Sequence, residues 1–337
     1  MKKTILTGLR INSDFTLGNY LGALLPMVRL ANKHSNEFNV NIFVPDLHSI
    51  ISKIDGDLQK NLIYSIKCYL ASGLILNENV HFYRQSYVPA HSELTWVLNC
   101  IATTGEMGRM IQFKEKSSGR ESTNVGIFDY PVLMASDILL YSASYVPVGE
   151  DQFQHIELTR NLAERFNNRF GETFVVPENT KGQVEFMGAD AGVRIRDLVN
   201  PEKKMSKSTE SEKSKILLSD APNVAAKKIM SATTDSFEDI EFDFETRPGI
   251  SNLIQILALI NNISVGEVLE TWRGKTKYGD FKKAVAESVE KLLSSFQEKI
   301  SEISDDEVLD LFPAGEKYAN DVANAKLQEV FEKVGLR

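Results

Sequence analysis

The chain has 337 residues, 42% hydrophobic and 25% charged, with a formal net charge of −8 and two cysteines. That length holds one large domain and a smaller one with ample core, while the acidic balance disfavours a protein that coats nucleic acid indiscriminately and leaves room for local basic patches. The apolar stretch after Lys2-Lys3 has only strand length, no run approaches the ~20 apolar residues of a bilayer span, and two cysteines make neither a disulfide framework nor a zinc site, so a reduced cytoplasmic protein with no membrane partner is expected.

Taken in chain order, Thr4 to Gly8 reads as a buried strand and Gly18 to Leu30 as a helix. Val40 to Val44 is a second strand, Leu58 to Ala71 a helix, Val80 to Tyr83 a third strand and Ser92 to Ile101 a helix. Pro131 to Leu140 reads as a helix opened by proline at its first position, followed by a short strand over Tyr145 to Val148 and a long amphipathic helix from Asp151 to Asn167. Alternating strands and helices imply an α/β fold, a Rossmann-like doubly wound parallel sheet, with ligands at the carboxyl ends of its strands. From about Ala221 strand signals vanish, and helical periods take over at Asn223 to Met230, Ile250 to Asn261, Val265 to Trp272, Asp280 to Lys299 and Asp305 onward. The expected division is 1–205 for the catalytic domain and 206–337 for an all-helical C-terminal domain, whose last helix packs back on the first.

Lys204-Met205-Ser206-Lys207-Ser208 is the stretch that points to chemistry. Asn200-Pro201 and Lys203 place it in a loop. Ammonium groups three residues apart act as point charges on phosphate oxygens, with Ser206 and Ser208 adding donors between them, and such a grip stabilises charge developing on a leaving pyrophosphate. As composition alone, it reads more readily as a solvated basic loop. Thr16-Leu17-Gly18-Asn19 lies where the first strand hands over to the first helix, where Gly18 admits close approach and a helix N-terminus favours anions. Alone, it reads more readily as a polar helix start.

On the presumed helix from Pro131, Met134 and Asp137 are three apart and share a face, so a carboxylate and a soft apolar wall can line one pocket. Gly149-Glu150-Asp151-Gln152 starts the next helix: Asp151 can accept from ribose hydroxyls, and Gln152 offers donor and acceptor to amino-acid α-groups. The same four residues also read as an acidic helix cap. Asp46-Leu47-His48 closes the second strand at the sheet's carboxyl edge.

Together with Gly18-Asn19-Tyr20-Leu21-Gly22-Ala23, Gln112-Phe113-Lys114-Glu115-Lys116, Asp137-Ile138-Leu139-Leu140-Tyr141, Val146 to Gln152 and Pro248 to Leu253, these motifs make the chain resemble the bacterial tryptophanyl-tRNA synthetases, a branch of the class I aminoacyl-tRNA synthetases. The matches follow the family's order along nearly the whole chain. The resemblance implies ATP-dependent activation of L-tryptophan to tryptophanyl-adenylate and transfer to tRNA(Trp), by a homodimer whose helical domain reads the anticodon. It implies Mg²⁺ held mainly by the ATP phosphates, no protein metal site and no zinc. It assigns catalysis to Lys204, Lys207, Thr16 and Asn19, with Lys116 in support, and tryptophan contact to Asp137, Met134, Tyr130, Gln152 and His48, Asp137 accepting from the indole N–H. ATP contacts fall on Arg10, Ile11, Asn12, Ser13, Gly18, Asn19, Gly149, Glu150, Asp151, Ile195 and the loop Lys204, Met205, Ser206, Lys207, Ser208.

Two segments depart from the pattern. Arg10 to Phe15 replaces the Pro-Ser-Gly or Pro-Thr-Gly usual before the first motif, and Asn179 to Ala191 is longer than usual. Two alternatives compete: a tyrosyl-tRNA synthetase, which shares the fold, both nucleotide motifs and an aspartate in the pocket, and a non-catalytic synthetase-like binder of tryptophan or tRNA, favoured only by the altered loop.

Overall fold

A computed structural model describes residues 2–9, 11, 14–51, 57–117, 122–188, 193–237, 239–275 and 277–337. Four parallel strands, β1 (Thr4–Gly8), β2 (Asn39–Val44), β3 (Val80–Arg84) and β4 (Ala143–Tyr145), form one sheet in the order β3-β2-β1-β4. Parallel strands require helical crossovers, and these cover both faces. Because side chains alternate along a strand, Ile5, Ile42 and Phe82 feed one buried cluster while Leu6, Phe43 and Tyr83 feed a second on the opposite face.

The first cluster contains residues of Leu25–His34 (α1) and Leu58–Ala71 (α2), and the second is closed by Ala90–Asn99 (α3), Val125–Leu139 (α4) and Phe153–Phe170 (α5). The last third of the chain is helical among the described residues: Pro222–Met230 (α6), Pro248–Asn261 (α7), Val265–Trp272 (α8), Tyr278–Glu302 (α9) and Phe312–Val334 (α10), with a short helix at Asp305–Leu309. In α9, Phe281, Val285, Val289, Leu293 and Phe296 recur at three or four residues and form its buried stripe. That stripe belongs to the same cluster as Ile5 and Val40, so one continuous core joins the sheet to the helical region. Truncating the wholly buried Phe281 to alanine would cost about 3–5 kcal/mol.

Helix α10 returns to the sheet and lies against the edge strand β3. Its Gly315 approaches so closely that a Cβ there would overlap the backbone of Phe82. The Tyr318 ring stacks on His81 at 3.5 Å, and Arg84 pairs with Glu316 at 2.5 Å.

Three local expectations need correction. The helix expected to open at Pro131 begins at Val125, because Asn124 caps it by accepting from the Ile127 N–H at 2.9 Å; Pro131 therefore sits inside the helix. The strand expected over Tyr145 to Val148 ends at Tyr145. Pro147 has no N–H for a ladder, and the Val146 N–H donates to the Gln183 side chain at 2.8 Å instead of to a strand. The helix expected from Asp151 starts at Phe153 after a 3-10 turn over Glu150–Gln152. The first helix is also interrupted, since the turn Tyr20–Leu24 is a wide π turn. The long segment from Asn179 gains a meaning here. It forms the helix Thr180–Met187, whose Phe186 stacks on Tyr145 at 3.7 Å and so packs onto β4. Residues 189–192 are outside the described set.

Candidate active site

Two pockets open at the carboxyl ends of the strands, near where the strand order turns from β1 to β4. The first, of about 770 Å³, is lined by apolar Leu6, Phe43, Ile127, Met134, Ile138 and Val146, with His48, Gln112, Tyr130, Asp137 and Gln152 among its polar lining. The second, of about 530 Å³, takes in Asn19, Gly149, Glu150, Asp151, Arg194 and Lys204. Thr7, Gly8, Pro147 and Val148 line both, so the end of β1 and the turn after β4 form a shared wall.

All five residues expected to contact the amino acid line the first pocket. Asp137 is on α4 and only 1% exposed. One oxygen, Oδ1, accepts from Gln85 Nε2 at 2.7 Å and from His91 Nδ1 at 2.6 Å, while Oδ2 accepts from His48 Nε2 at 2.8 Å. Burial pushes this carboxyl's pKa up, but the hydrogen bonds and charge interactions with His48 and His91 outweigh burial and hold it at about 2. It is an ionised acceptor in an apolar pocket, and an acceptor-only group requires donors from its neighbours. His48 is presented by the short helix Asp46–Ser49, whose Asp46 carboxylate is tied to the backbone and side chain of Ser86 just beyond β3.

A second chain of hydrogen bonds runs across the mouth. Tyr130 donates to Gln112 Oε1 at 2.9 Å and lies 3.1 Å from His155 Nε2, and Gln112 Nε2 donates to the Asp151 carbonyl at 3.0 Å. Burial pushes the Tyr130 hydroxyl up to about 12, and the Asp151 and Glu115 charges add to it, so this tyrosine stays neutral. Asp151 also accepts from Gln152 Nε2 at 2.7 Å. The Asp151 carboxylate folds over Gly149, where a Cβ would stand 2.7 Å from its Oδ1, so a side chain at 149 would displace that carboxylate.

In the second pocket, Thr16 caps the helix start: its Oγ1 accepts from the Asn19 N–H at 3.1 Å, and Asn19 Oδ1 accepts back from Thr16. Thr16 is buried and Asn19 faces the cleft. Gly18 lies under Met205 and Ile195, which are themselves buried. The side chains of Met205 and Ile195 are thus a backstop behind the glycine, joined by the Met205 N–H to Ile195 carbonyl bond at 3.0 Å. Lys204 reaches the cleft, Lys207 and Ser208 are exposed, and Ser206 Oγ is 2.8 Å from Ser208 Oγ. Ile11 packs partly buried against the core. Arg10, Asn12 and Ser13 lie outside the described residues, as does the side chain of Lys116. Among the described residues no three His, Cys, Asp or Glu side chains gather as a metal site.

Sequence reasoning missed Gln85, His91, Gln112 and Arg194. Arg194 pairs with Glu150 at 3.3 Å, and both line the second pocket. A buried histidine inside an amphipathic helix gives no periodic signal, whereas Gln112 stood within a matched motif that had been read only for its lysines.

Comparison with known proteins agrees with this geometry. The family described as tRNA synthetases class I (W and Y) matches residues 2–294. The tryptophan–tRNA ligase of Caldanaerobacter subterraneus subsp. tengcongensis is 46% identical over 335 residues, covering 99% of this chain and 98% of that protein. The Bacillus subtilis tryptophan–tRNA ligase is 42% identical over 338 residues, covering 100% of this chain and 98% of that protein. Among solved structures, the Mycoplasma pneumoniae tryptophanyl-tRNA synthetase superposes with a TM-score of 0.83 at 34% identity, covering 100% of this chain and 99% of that one. A Campylobacter jejuni tryptophanyl-tRNA synthetase complexed with ADP and tryptophan gives 0.77 at 30% identity, covering 99% and 100%. With the fold, the paired pockets and the matched sequence in agreement over nearly its whole length, the chain belongs to the class I tRNA synthetases of the tryptophan and tyrosine group.

Proposed function

We propose that the protein activates L-tryptophan with ATP and transfers it to tRNA(Trp). The carboxylate of tryptophan attacks the α-phosphorus, forming tryptophanyl-adenylate and releasing pyrophosphate. The terminal ribose hydroxyl of the tRNA then takes the acyl group and AMP leaves. The observation that carries the reading is Asp137: an ionised acceptor buried in an apolar pocket suits an aromatic ligand with one N–H donor, which an indole is. Its relatives named as tryptophan–tRNA ligases support the same substrate. A phenol would call for a further polar partner for its hydroxyl, whereas Met134, Ile138 and Phe43 give the pocket an apolar wall.

The shared wall sets the reaction geometry. Tryptophan in the first pocket, with its α-groups toward Gln152 and Tyr130, points its carboxylate past Gly8 and Val148 toward ATP in the second pocket. Asp151 and Gly149 take the ribose, while Asn19 and Lys204, with Lys207, take the phosphates. Mg²⁺ enters with the triphosphate as part of the substrate. No covalent intermediate with the enzyme is needed, and catalysis is positioning plus electrostatic stabilisation of pyrophosphate. Lys116 is a supporting cation in this scheme, and the ATP roles of Arg10, Ile11, Asn12 and Ser13 rest on the family resemblance alone.

Residues 1–205 serve as the catalytic domain and 206–337 as the tRNA-reading helical domain, working in the cytoplasm. A homodimer would account for the exposure of the apolar side chains Ile50, Trp96 (72% exposed) and Val125 (78% exposed). ATP–pyrophosphate exchange with a panel of amino acids, followed by charging of tRNA, tests the assignment. Tryptophan-dependent exchange is expected, tyrosine-dependent exchange would assign the protein to the other substrate, and tryptophan binding without exchange would leave a binder.

A further inference from the structure

We propose that Lys215 is a positioning residue for the lysine-rich loop, a role that rests on the phosphate-handling assignment of Lys204 and Lys207 above. Lys215 lies outside the five-residue motif and reads in sequence as one more lysine of a charged stretch. In the fold it is only 7% exposed. Its ammonium donates to the Lys207 carbonyl at 3.0 Å and to the Thr209 carbonyl at 2.7 Å, and it pairs with Glu212 Oε1 at 3.1 Å. An ammonium has three donors, and here each has an acceptor, which offsets the cost of taking the charge out of water.

The backbone beside Lys215 is fastened to the other half of the nucleotide site. Ile216 accepts from the Leu17 N–H at 2.7 Å, Leu218 donates to the Phe15 carbonyl at 2.8 Å, and Thr16 and Leu217 form an antiparallel bridge. Lys215 is therefore the joint between the Thr16–Asn19 helix start and the loop that carries Lys207. On the loop's other limb, buried Met205 and the bridge between Lys204 and Arg196 fix the position of Lys204. Holding the Lys207 carbonyl on one side aims the Lys207 side chain from a fixed backbone, and the two loop lysines keep a set spacing relative to Asn19. A hydrophobic residue at 215 would fill the volume but leave two loop carbonyls without their donor.

Two variants test this in the full-length protein, K215M and K215R. In ATP–pyrophosphate exchange with tryptophan, K215M should lose ~10–100-fold in kcat, the scale of a small misplacement of a reacting group, with the tryptophan KM within about twofold of wild type. K215R, which keeps the donors, should recover to within about threefold. Independently of activity, a glutamate-specific protease cutting at the exposed Glu210 and Glu212 should cleave the loop of K215M about tenfold faster than wild type, and K215R at the wild-type rate. Wild-type kcat together with wild-type cleavage in K215M overturns the proposal. If the wild-type chain shows no tryptophan-dependent exchange, the substrate assignment fails while cleavage still decides whether Lys215 ties the loop. Should K215M not fold, as read by its melting curve, the milder K215Q enters both assays with the same opposing outcomes.

Discussion

His48 Nε2 stands 2.8 Å from Oδ2 of Asp137, and both side chains line the first pocket, whereas Oδ1 is taken by Gln85 and His91, which do not. The carboxylate thus has a held oxygen and a presented one. An incoming N–H donor would share or replace the His48 contact on the presented oxygen.

Replacing Asp137 with asparagine keeps the shape but removes the charge that makes these hydrogen bonds strong. A charge-assisted bond contributes about 1.5–3 kcal/mol, so kcat/KM for tryptophan in ATP–pyrophosphate exchange should fall by ~10–150-fold. The ATP KM should move less than threefold. Equal loss in both would place Asp137 outside the amino-acid site.

The Asp137 pKa of about 2 also fixes a pH window. Its folded value lies below that of a free carboxylate, so the stability it brings is fully present above pH ~4 and is lost as pH falls through about 2. Between pH 5 and 8, this group should therefore cause no change in tryptophan KM. An inflection in that range that vanished in Asp137→Asn would contradict the assigned ionisation.

His91 Nε2 lies 3.0 Å from the Tyr141 hydroxyl, so Tyr141 fixes the far end of the ring that holds Oδ1. Tyr141→Phe removes one buried hydrogen bond, about 0.5–1.5 kcal/mol. The expected outcome is a tryptophan KM raised by ~2–10-fold with kcat nearly unchanged. A fall in kcat at constant KM would mean that the network acts on chemistry instead of on binding.

Lys204→Ala and Lys207→Ala should each lower exchange kcat by ~10²–10³, the scale of losing one preorganised charge contact to a transition state. Tryptophan affinity, followed by equilibrium dialysis, should stay within twofold. A variant that lost only affinity would refute the phosphate role.

His81, stacked on Tyr318 of α10, has its pKa lowered by burial to about 4. Folded His81 therefore stays neutral below the pH at which it protonates when unfolded, and stability should fall as pH drops from about 6.5 toward 4. The melting temperature should decline over that range, and His81→Phe should decline less. An identical pH profile in both proteins would show that α10 is not held there by the neutral ring.

Much of this fold was legible because the sheet is buried on both faces: Ile5, Ile42 and Phe82 alternate with Leu6, Phe43 and Tyr83, and apolar runs of that length have little else to form. The helices of the last third were legible from period, as with Val265–Trp272. The Pro131 error arose because proline is a good helix opener, while the actual cap, Asn124, stands seven residues earlier and the helix interior tolerates the lost N–H. At the site, Met134 and Asp137 were paired by helical spacing, Gln152 stood in a matched motif, His48 and Tyr130 came from the family resemblance, and all five line one pocket. The groups that hold Asp137 from behind and the ammonium of Lys215 were not legible. They matter through distances across the fold, and neither a lone buried histidine nor a lysine in a charged stretch carries that information in its neighbours.

Edge strand β3 is covered by α10, with Gly315 set against the Phe82 backbone. Synthesis delivers that cover more than two hundred residues after the strand itself. A sheet edge with unpaired peptide groups invites pairing with other chains, so the nascent protein carries a sticky rim until α10 emerges. Shortening α10 would leave both pockets intact on paper, yet the cost would be read in aggregation during expression before it was read in any rate constant.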